Sequence, residues 1–315
     1  MRYTTRKSLA VVLFGTSLLF TTSCSAKSDE AQQEAVNVPA SVETVTVQAN
    51  LPTTTTADWR EPDLENTLYI KTKYGTFVIE MMPEFAPKHV AQIKTLARQG
   101  FYDNVTFHRV IKNFMNQTGD PRGDGTGSSA LPDIPGEFTF KRSASSMPIT
   151  QVNREMSVKG EVATGFYKAM PLATKPDAAS FMMKDGKVEA WGLHCKSVTS
   201  MARGEPVNSA NSQFFLMRHE YKSLDTKYTI WGTTIWGREG LTKIKIGTAG
   251  ETPNFVPDEL ISMRVAADVP VGERIPVQIL RTDSDAFKAY VSSLKSSTGK
   301  ARNACDIEVP TRLKK

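Results

Sequence analysis

Alternating apolar and polar residues dominate the chain from residue 66 to residue 282 and predict a series of short strands. The stretch "LYIKTKYGTFVIEMM" contains two such runs on either side of Lys73-Tyr74-Gly75, a pattern typical of a β-hairpin. The same reasoning predicts further strands at 104–111, 114–120, 197–202, 212–217, 227–235 and 272–282. So many short strands indicate a mainly β protein.

Helical spacing of apolar residues is confined to two segments. The first is "EFAPKHVAQIKTLARQGFY", where Pro87 stands in the first turn and Gly100 ends the helix. Its apolar stripe consists of Val90, Ile93, Leu96 and Ala97. The second lies in the C-terminal segment 283–315, where Ser284 is a candidate N-cap and Phe287, Val291 and Leu294 share one face. We expect a C-terminal helix and tail there.

Few helices among many strands favour a closed or nearly closed β-barrel plugged by helices. Residues 141–196 interrupt the regular succession of short barrel strands. Within them, Asp185-Gly186 predicts a hairpin turn. We interpret this stretch as a long insertion between two strands of the barrel.

The N-terminus has the pattern of an export signal. Arg2, Arg6 and Lys7 precede the apolar run "LAVVLFGTSLLF" at 9–20, which is too short to span a bilayer but suits a signal peptide over 1–23. Cleavage before Cys24 would free that cysteine for lipid attachment and membrane anchoring. Cleavage after Ala26 would instead give a soluble periplasmic protein. We favour the lipid anchor, although Thr21 stands where an aliphatic residue is usual.

Residues 24–65 are rich in Gln, Ala, Val, Thr and Pro and lack a sustained period, which predicts a flexible stalk. The net charge of the chain is +6, and loss of the three basic residues of the signal segment lowers it to about +3. That weak charge argues against a nucleic-acid partner, and we expect a monomer.

Two cysteines remain once Cys24 is set aside. Cys195 and Cys305 are an even pair in a chain predicted to be exported to an oxidising compartment. A disulfide between them and two unpaired thiols are both compatible with the sequence.

Candidate chemistry is concentrated in "FHRVIKNFMNQTGDP" at 107–121. If alternate side chains of a strand share a face, Phe107 projects with Arg109, and Met115 projects with Gln117 on the next strand. A cation and an amide would then lie beside apolar groups on one surface. The alternative is that Arg109 is only a surface ion-pair partner.

Four motifs in this order, "FHRVIKNFMNQTGDP", "GDGTG", "SMAR…NSANSQFF" and "SLDTKYTIWG", resemble the cyclophilin family of peptidyl-prolyl cis-trans isomerases, above all its exported bacterial members. The resemblance covers residues 66–282 apart from the insertion. It implies a closed eight-stranded β-barrel with a capping helix at each end and a substrate groove on the outside. It also implies proline-containing polypeptides as substrates, without a cofactor or metal.

The resemblance assigns roles to particular residues. Arg109 and Gln117 match the catalytic positions, and Gln117 and Gln213 also match groups that hold the peptide backbone. Residues that match the remainder of the groove are Phe114, Met115, Phe215 and Leu224 around the proline ring, Ala202 and Arg203 beside them, and Gly125 at the far end. Tyr228 replaces a common histidine, and Ser223 replaces a tryptophan that helps to bind cyclosporin.

These residue types suit bond rotation. The amide C–N bond resists rotation by about 18–20 kcal/mol because of resonance, and no covalent bond has to break. A guanidinium can stabilise the lone pair that twisting localises on the prolyl nitrogen. We therefore expect an isomerase that assists the folding of exported proteins; the alternative is a proline-peptide binding module or holdase with little turnover. The four histidines lack metal-ligand spacing, and "GDGTG" lacks the lysine of a phosphate loop.

Overall fold

The structure is a computed structural model that describes residues 51–157, 159–294 and 303–314. The predicted signal peptide over 1–23, Cys24 and the stalk up to residue 50 lie outside the described residues. No helix within the described residues is long and apolar enough to cross a membrane.

Strands are the main regular elements. Those of the first half are β1 Trp59–Arg60, β2 Thr67–Thr72, β3 Gly75–Met81, β4 Val105–Thr106, β5 Arg109–Ile111, β6 Met115–Thr118, β7 Phe140–Arg142, β8 Thr150–Ser157 and β9 Gly160–Tyr167. Those of the second half are β10 Met170–Thr174, β11 Val188–Gly192, β12 Val198–Met201, β13 Phe214–Met217, β14 Ile230–Trp236, β15 Gly247–Thr248, β16 Glu259–Leu260, β17 Ser262–Val265, β18 Val277–Leu280 and β19 Thr311–Leu313. The α-helices are α1 Pro87–Arg98 and α2 Asp285–Ser293.

Nine of these strands form one antiparallel sheet in the order β15-β5-β6-β13-β12-β14-β3-β2-β17. The two ends of that sheet are joined by a second pairing, in which β4, just before β5, pairs with β16, just before β17. If β4 with β5 and β16 with β17 are each counted as one interrupted strand, the ring has eight strands and β15 is a short addition. The barrel expected from the resemblance is confirmed.

The interior of the barrel is a single apolar cluster. It includes Phe77, Phe107, Phe214 and Trp231, each with no exposed side-chain surface. Helix α1 closes this interior with the stripe predicted from the sequence, and Val90, Ile93 and Leu96 are buried in the cluster. Pro87 stands in its first turn, as predicted. Leu241, from the 3-10 turn Arg238–Thr242, packs into the same cluster.

The insertion forms its own five-stranded sheet in the order β7-β11-β10-β9-β8, located in sequence between barrel strands β6 and β12. The hairpin turn predicted at Asp185-Gly186 is wrong. Those residues connect the 3-10 helix Asp177–Met182 to β11, whereas the hairpins of this sheet join β8 to β9 and β9 to β10. Helix α2 packs here rather than in the barrel, with Phe287 edge-on to Phe166 at 5.5 Å between ring centroids.

A third sheet, β1-β18-β19, corrects two further predictions. The stalk predicted over 24–65 is too long, because Trp59 is buried, β1 pairs with β18, and Arg60 forms a two-pronged ion pair with Glu80 at 2.6 and 2.8 Å. The strand predicted at 272–282 exists as β18 but belongs to this sheet. The last barrel strand is instead β17, which the sequence analysis missed.

Candidate functional site

An interruption between β4 and β5 sets the direction of Arg109. Phe107 is buried in the barrel interior, whereas Arg109 is half-exposed and pairs across the ladder with Gln117. The prediction that Phe107 and Arg109 share a face is therefore wrong, because β4 pairs with β16 while β5 pairs with β6, and the intervening residues shift the alternation. The prediction that Met115 and Gln117 share a face is confirmed. Asn116 and Thr118, which alternate with them along β6, are fully buried on the opposite face.

A chain of hydrogen bonds crosses the outer face of the barrel from Arg109. Its Nη1 donates to Oε1 of Gln117 at 3.2 Å, and Nε2 of Gln117 donates to Oε1 of Gln213 at 2.9 Å. Nε2 of Gln213 then donates to the carbonyl oxygens of Gly125 at 2.9 Å and Gly127 at 2.8 Å. Each amide is thereby oriented by its neighbours. The bond to Gln117 is the only hydrogen bond of the Arg109 guanidinium within the described part of the chain, which leaves its other N–H groups available to a ligand.

The glycine-rich loop is shaped by one carboxylate. Asp120 accepts hydrogen bonds from the backbone N–H groups of Arg122 at 2.8 Å and Asp124 at 3.1 Å, and also from that of Gly125. Gly125 has φ +92°, a conformation that favours glycine. The loop therefore presents its carbonyl groups to Gln213 and forms one wall of the groove.

A pocket of about 380 Å³ opens beside this polar chain. Gln117, Gly125, Ala202, Arg203 and Gln213, all assigned through the resemblance, line it together. The backbone N–H of Ala202 donates to the carbonyl of Gln213 at 2.9 Å, which continues the β12–β13 ladder into the groove.

The apolar half of the groove lies next to it. Phe215 is almost fully buried and meets the ring of Tyr228 edge-on at 6.0 Å. The guanidinium of Arg203 lies over the Tyr228 ring at 4.6 Å and so connects the polar and apolar halves. The cluster that contains Phe215 also includes Met115, Phe114 and Leu224. The structure thus brings the predicted residues together on one surface, and their individual roles stay predictions.

Tyr221 on this surface and His194 beneath it were missed in the sequence. Tyr221 is 46% exposed and its ring lies 4.7 Å from that of Phe114. It is the only aromatic residue between Phe215 and Tyr228, two positions before Ser223, and this proximity to the expected tryptophan position was the available signal.

His194 supports the apolar half from beneath. Its Nδ1 is 2.8 Å from Asp225 Oδ1, its Nε2 is 3.1 Å from Ser200 Oγ, and its ring stacks on Phe215 at 6.2 Å. This order of Asp, His and Ser is that of a hydrolase triad, but Ser200 has no exposed surface and donates its hydroxyl to the Thr229 carbonyl. The three residues therefore form a support for the loop around Leu224.

His108 is buried next to Gly125 of the glycine-rich loop. Burial lowers its pKa, partly offset by the nearby Asp120 carboxylate. The Thr106 backbone offsets part of this lowering of the pKa as well, although neither ring nitrogen forms a hydrogen bond of standard geometry with the described residues. His108 is consequently neutral at neutral pH. Groups of three or more His, Cys, Asp and Glu side chains suited to a metal do not occur in the described ranges.

Comparison with known proteins agrees with this geometry. A family model of cyclophilin-type peptidyl-prolyl cis-trans isomerases matches residues 67–265. The chain is 34% identical over 218 residues to a probable peptidyl-prolyl cis-trans isomerase of Brucella suis, which covers 65% of this chain and 85% of that relative. The crystal structure of the cyclophilin AquaCyp293 from Hirschia baltica superposes with a TM-score of 0.71 at 35% identity, covering 81% of this chain and 93% of that one.

The chain therefore belongs to the cyclophilin family, and it is a peptidyl-prolyl cis-trans isomerase. The part of this chain that the Hirschia structure covers is longer than residues 67–265. The similarity to that structure therefore extends beyond the residues that the family model matches.

Proposed function

We propose that this isomerase works in the bacterial cell envelope, anchored to a membrane by a lipid on Cys24, and accelerates the folding of exported proline-containing polypeptides. The observation that carries the proposal is the disulfide between Cys195 and Cys305, which are 110 positions apart. Disulfides persist in oxidising compartments and are rare in the cytosol of most organisms. The signal-like N-terminus supports the same location, and a soluble periplasmic protein cleaved after Ala26 is the alternative.

In the proposed mechanism the two halves of the groove have separate tasks. The apolar half, formed by Phe114, Met115, Phe215, Leu224 and Tyr228, holds the proline ring. An apolar surrounding also disfavours the charge-separated resonance form that keeps the amide planar. The polar half, from Gln117 to Gln213, holds the backbone on the other side of the rotating bond.

Arg109 acts on the rotating bond itself. Twisting localises a lone pair on the prolyl nitrogen, and an N–H of the guanidinium donates to it more strongly than to the planar amide. Gln117 fixes the guanidinium through the 3.2 Å hydrogen bond. A charge-assisted hydrogen bond contributes about 1.5–3 kcal/mol, and each tenfold in rate needs about 1.4 kcal/mol. Arg109 then accounts for a ten- to hundredfold acceleration of the reaction, and positioning of the peptide supplies the remainder.

The first experiment measures the cis-to-trans rate of an Ala-Xaa-Pro-Phe peptide with the full chain, with Arg109→Ala and with the control Arg154→Ala. Arg154 is exposed on the insertion, where it forms only a loose surface pair with Glu161 at 3.5 Å. We expect Arg109→Ala to lower kcat/KM by about tenfold to a hundredfold at an unchanged Tm, and the control to match the wild type. Peptide binding without turnover by the folded wild type would replace the enzyme by a binding module or holdase.

The second experiment addresses location. The chain is expressed in a bacterium that processes lipoproteins, and its mature N-terminus is identified by mass spectrometry. A diacylglycerol-modified Cys24, lost together with membrane association in Cys24→Ser, is the expected result. An unmodified N-terminus at Lys27 in the soluble periplasmic fraction would contradict the anchor but leave an exported isomerase.

A further inference from the structure

The insertion carries an exposed apolar segment that the isomerase groove does not use. Phe181 is 83% exposed, Met182 is 73% exposed and Met183 is 43% exposed, all at the end of the 3-10 helix Asp177–Met182. Three consecutive large apolar side chains on a surface are unusual for a protein without a partner at that place.

This segment is held firmly by the sheet beneath it. Arg142 of β7 is fully buried and forms an ion pair with Asp177 at the start of the 3-10 helix. The same guanidinium donates to Thr174 Oγ1 at 2.9 Å and to the Met147 carbonyl at 3.0 Å. A buried arginine with three protein partners fixes where the exposed residues stand, so the apolar surface is a constant part of the fold.

A cleft of about 630 Å³ lies directly beside the exposed segment. Its apolar lining includes Phe140, Met183 and Val188, and its rim carries Lys141 and Lys175. The one acidic residue in the lining, Glu189, is already paired with Lys159 at 2.5 Å. Lys141 forms a loose, exposed pair with Asp185 at 3.9 Å, whereas Lys175 has no ion pair within the described part of the chain. The cleft therefore combines apolar surface with the positive charge of Lys175.

The cleft lies close to the isomerase groove. Arg203 of the groove, which stacks on Tyr228, also lies 6.0 Å from the ring of Phe138. Two residues later, Phe140 forms part of the cleft wall and stacks on Phe85 at 4.1 Å. Two residues of extended chain, roughly 7 Å, therefore separate Phe138 from Phe140 in the cleft wall.

Strand β7, beside the cleft, has backbone groups that can still form hydrogen bonds. β7 is an edge strand of the insertion sheet, since β11 is its only partner among the described strands. An extended polypeptide can pair with such an edge while its side chains occupy the neighbouring cleft.

We infer that the insertion surface formed by Phe140, Lys141, Lys175 and Phe181–Met183 is a second binding site for the substrate polypeptide, which takes an unfolded, extended segment with apolar and acidic side chains. This client surface holds the polypeptide while a nearby Xaa-Pro bond turns over in the groove. The inference rests on the proposed action on unfolded polypeptides. A concave cleft near the groove, with a free strand edge, suits an extended chain better than it suits the flat surface of a membrane.

The test uses the full chain and two probes: the Ala-Xaa-Pro-Phe peptide, and reduced, carboxymethylated α-lactalbumin as an acidic, permanently unfolded protein. The client-surface variant is Phe181→Ser/Met182→Ser/Met183→Glu. Its control is Val256→Ser/Val271→Ser, which removes two apolar side chains that are 71% and 77% exposed elsewhere. All substituted residues are exposed, so the variants are expected to fold.

We expect all three proteins to isomerise the short peptide equally. The Kd for the unfolded protein should rise at least about tenfold in the client-surface variant alone, because one of two linked contacts is lost. Lys175→Glu should weaken the same binding by a smaller factor. Unchanged binding of the unfolded protein by the client-surface variant overturns the inference.

If something other than a substrate polypeptide occupies the client surface, the experiments give different results. Sedimentation of the wild type as a dimer that the client-surface variant abolishes would assign the surface to a second copy of the chain. Hydrogen-exchange protection of residues 177–184 in a monomer without any probe would assign it to the chain's own N-terminal residues. Loss of binding to anionic phospholipid vesicles, with unchanged binding of the unfolded protein, would assign it to a membrane. Each of these overturns the inference, whereas failure of the wild type to isomerise the short peptide overturns only the proposed enzyme mechanism.

Discussion

The two faces of the barrel sheet contain neighbouring phenylalanines with almost the same burial and different surroundings. Phe214 is fully buried on the inner face, where Tyr102 and Trp231 meet it edge-on at 5.6 and 5.5 Å. Phe215 is 4% exposed on the outer face, between His194 and Tyr228. Burial alone therefore does not separate a core residue from a predicted binding residue.

The difference lies in what covers each face. The inner face is closed by the strands themselves and by α1, so all its contacts are fixed once the ring is complete. The outer face is covered by the insertion sheet, by α2 and by the sheet of β1, β18 and β19. The groove is the part of the outer face that these elements leave open, and its shape depends on them.

The largest expected effect is on the inner face. Phe214→Ala should lower the free energy of unfolding by about 3–5 kcal/mol, because a cavity forms among rigid aromatic neighbours. Urea denaturation measures this loss, and the fraction that remains folded should isomerise the short peptide normally.

Phe114→Ala is the matched change on the groove. Phe114 is half-buried, so we expect a loss of only about 1–2 kcal/mol in unfolding free energy, together with a clear fall in kcat/KM for the short peptide. A Phe114→Ala protein that unfolds like Phe214→Ala would place Phe114 in the core and contradict its assignment to the proline pocket.

The second expected effect concerns the elements that cover the outer face. Replacing both Cys195 and Cys305 by serine should lower the free energy of unfolding by about 2–4 kcal/mol, since the bond closes a long loop in the unfolded chain. Urea denaturation of the double variant is compared with that of the wild type, with and without a reducing agent. The reducing agent should change only the wild type.

Turnover of the short peptide by the folded double variant is expected to equal that of the wild type. A loss of turnover without unfolding would mean that the disulfide positions the groove, through the adjacent His194 and its contact with Phe215.

The smallest expected effect is a dependence on pH at the edge of the groove. Because burial lowers the pKa of His108 in the folded state, the unfolded state binds a proton that the folded state does not. Stability should therefore fall as the pH drops below about 6.5, the ordinary pKa of histidine, and continue to fall until the folded-state pKa is passed. His108→Gln should flatten the decline of Tm between about pH 7 and 5, and His219→Gln, at an exposed position, is the control. An equal slope in His108→Gln and the wild type would show that His108 is not the group responsible.

Local patterns predicted the local parts of this fold correctly. The hairpin at Lys73-Tyr74-Gly75 joins β2 to β3, and the proline, apolar stripe and terminating glycine of α1 all stand where the helix needs them. Ser284 caps α2 by accepting a hydrogen bond from the Phe287 N–H at 3.1 Å. These features depend on residues close together in sequence, so the sequence displays them directly.

Predictions failed where distant partners decide the structure. Trp59 looked like part of a stalk because its strand is short and its partner β18 lies more than two hundred residues later. The direction of Arg109 depends on the change of partner between β4 and β5, which no local alternation reveals. The groove residues were predicted only through the resemblance to cyclophilins, because composition and spacing alone left Arg109 as an ordinary surface cation.

Pairing of early strands with late ones also determines when this protein can assemble during its synthesis. β2 borders β17 in the ring. At about 5–20 residues per second, synthesis leaves β2 without its outer neighbour for on the order of ten to forty seconds. During that interval the other pairings of the ring, such as β3 with β14, can form, but the ring stays open and its apolar interior stays accessible to other chains. This isomerase is therefore a late-folding polypeptide that benefits from protection before its own barrel closes.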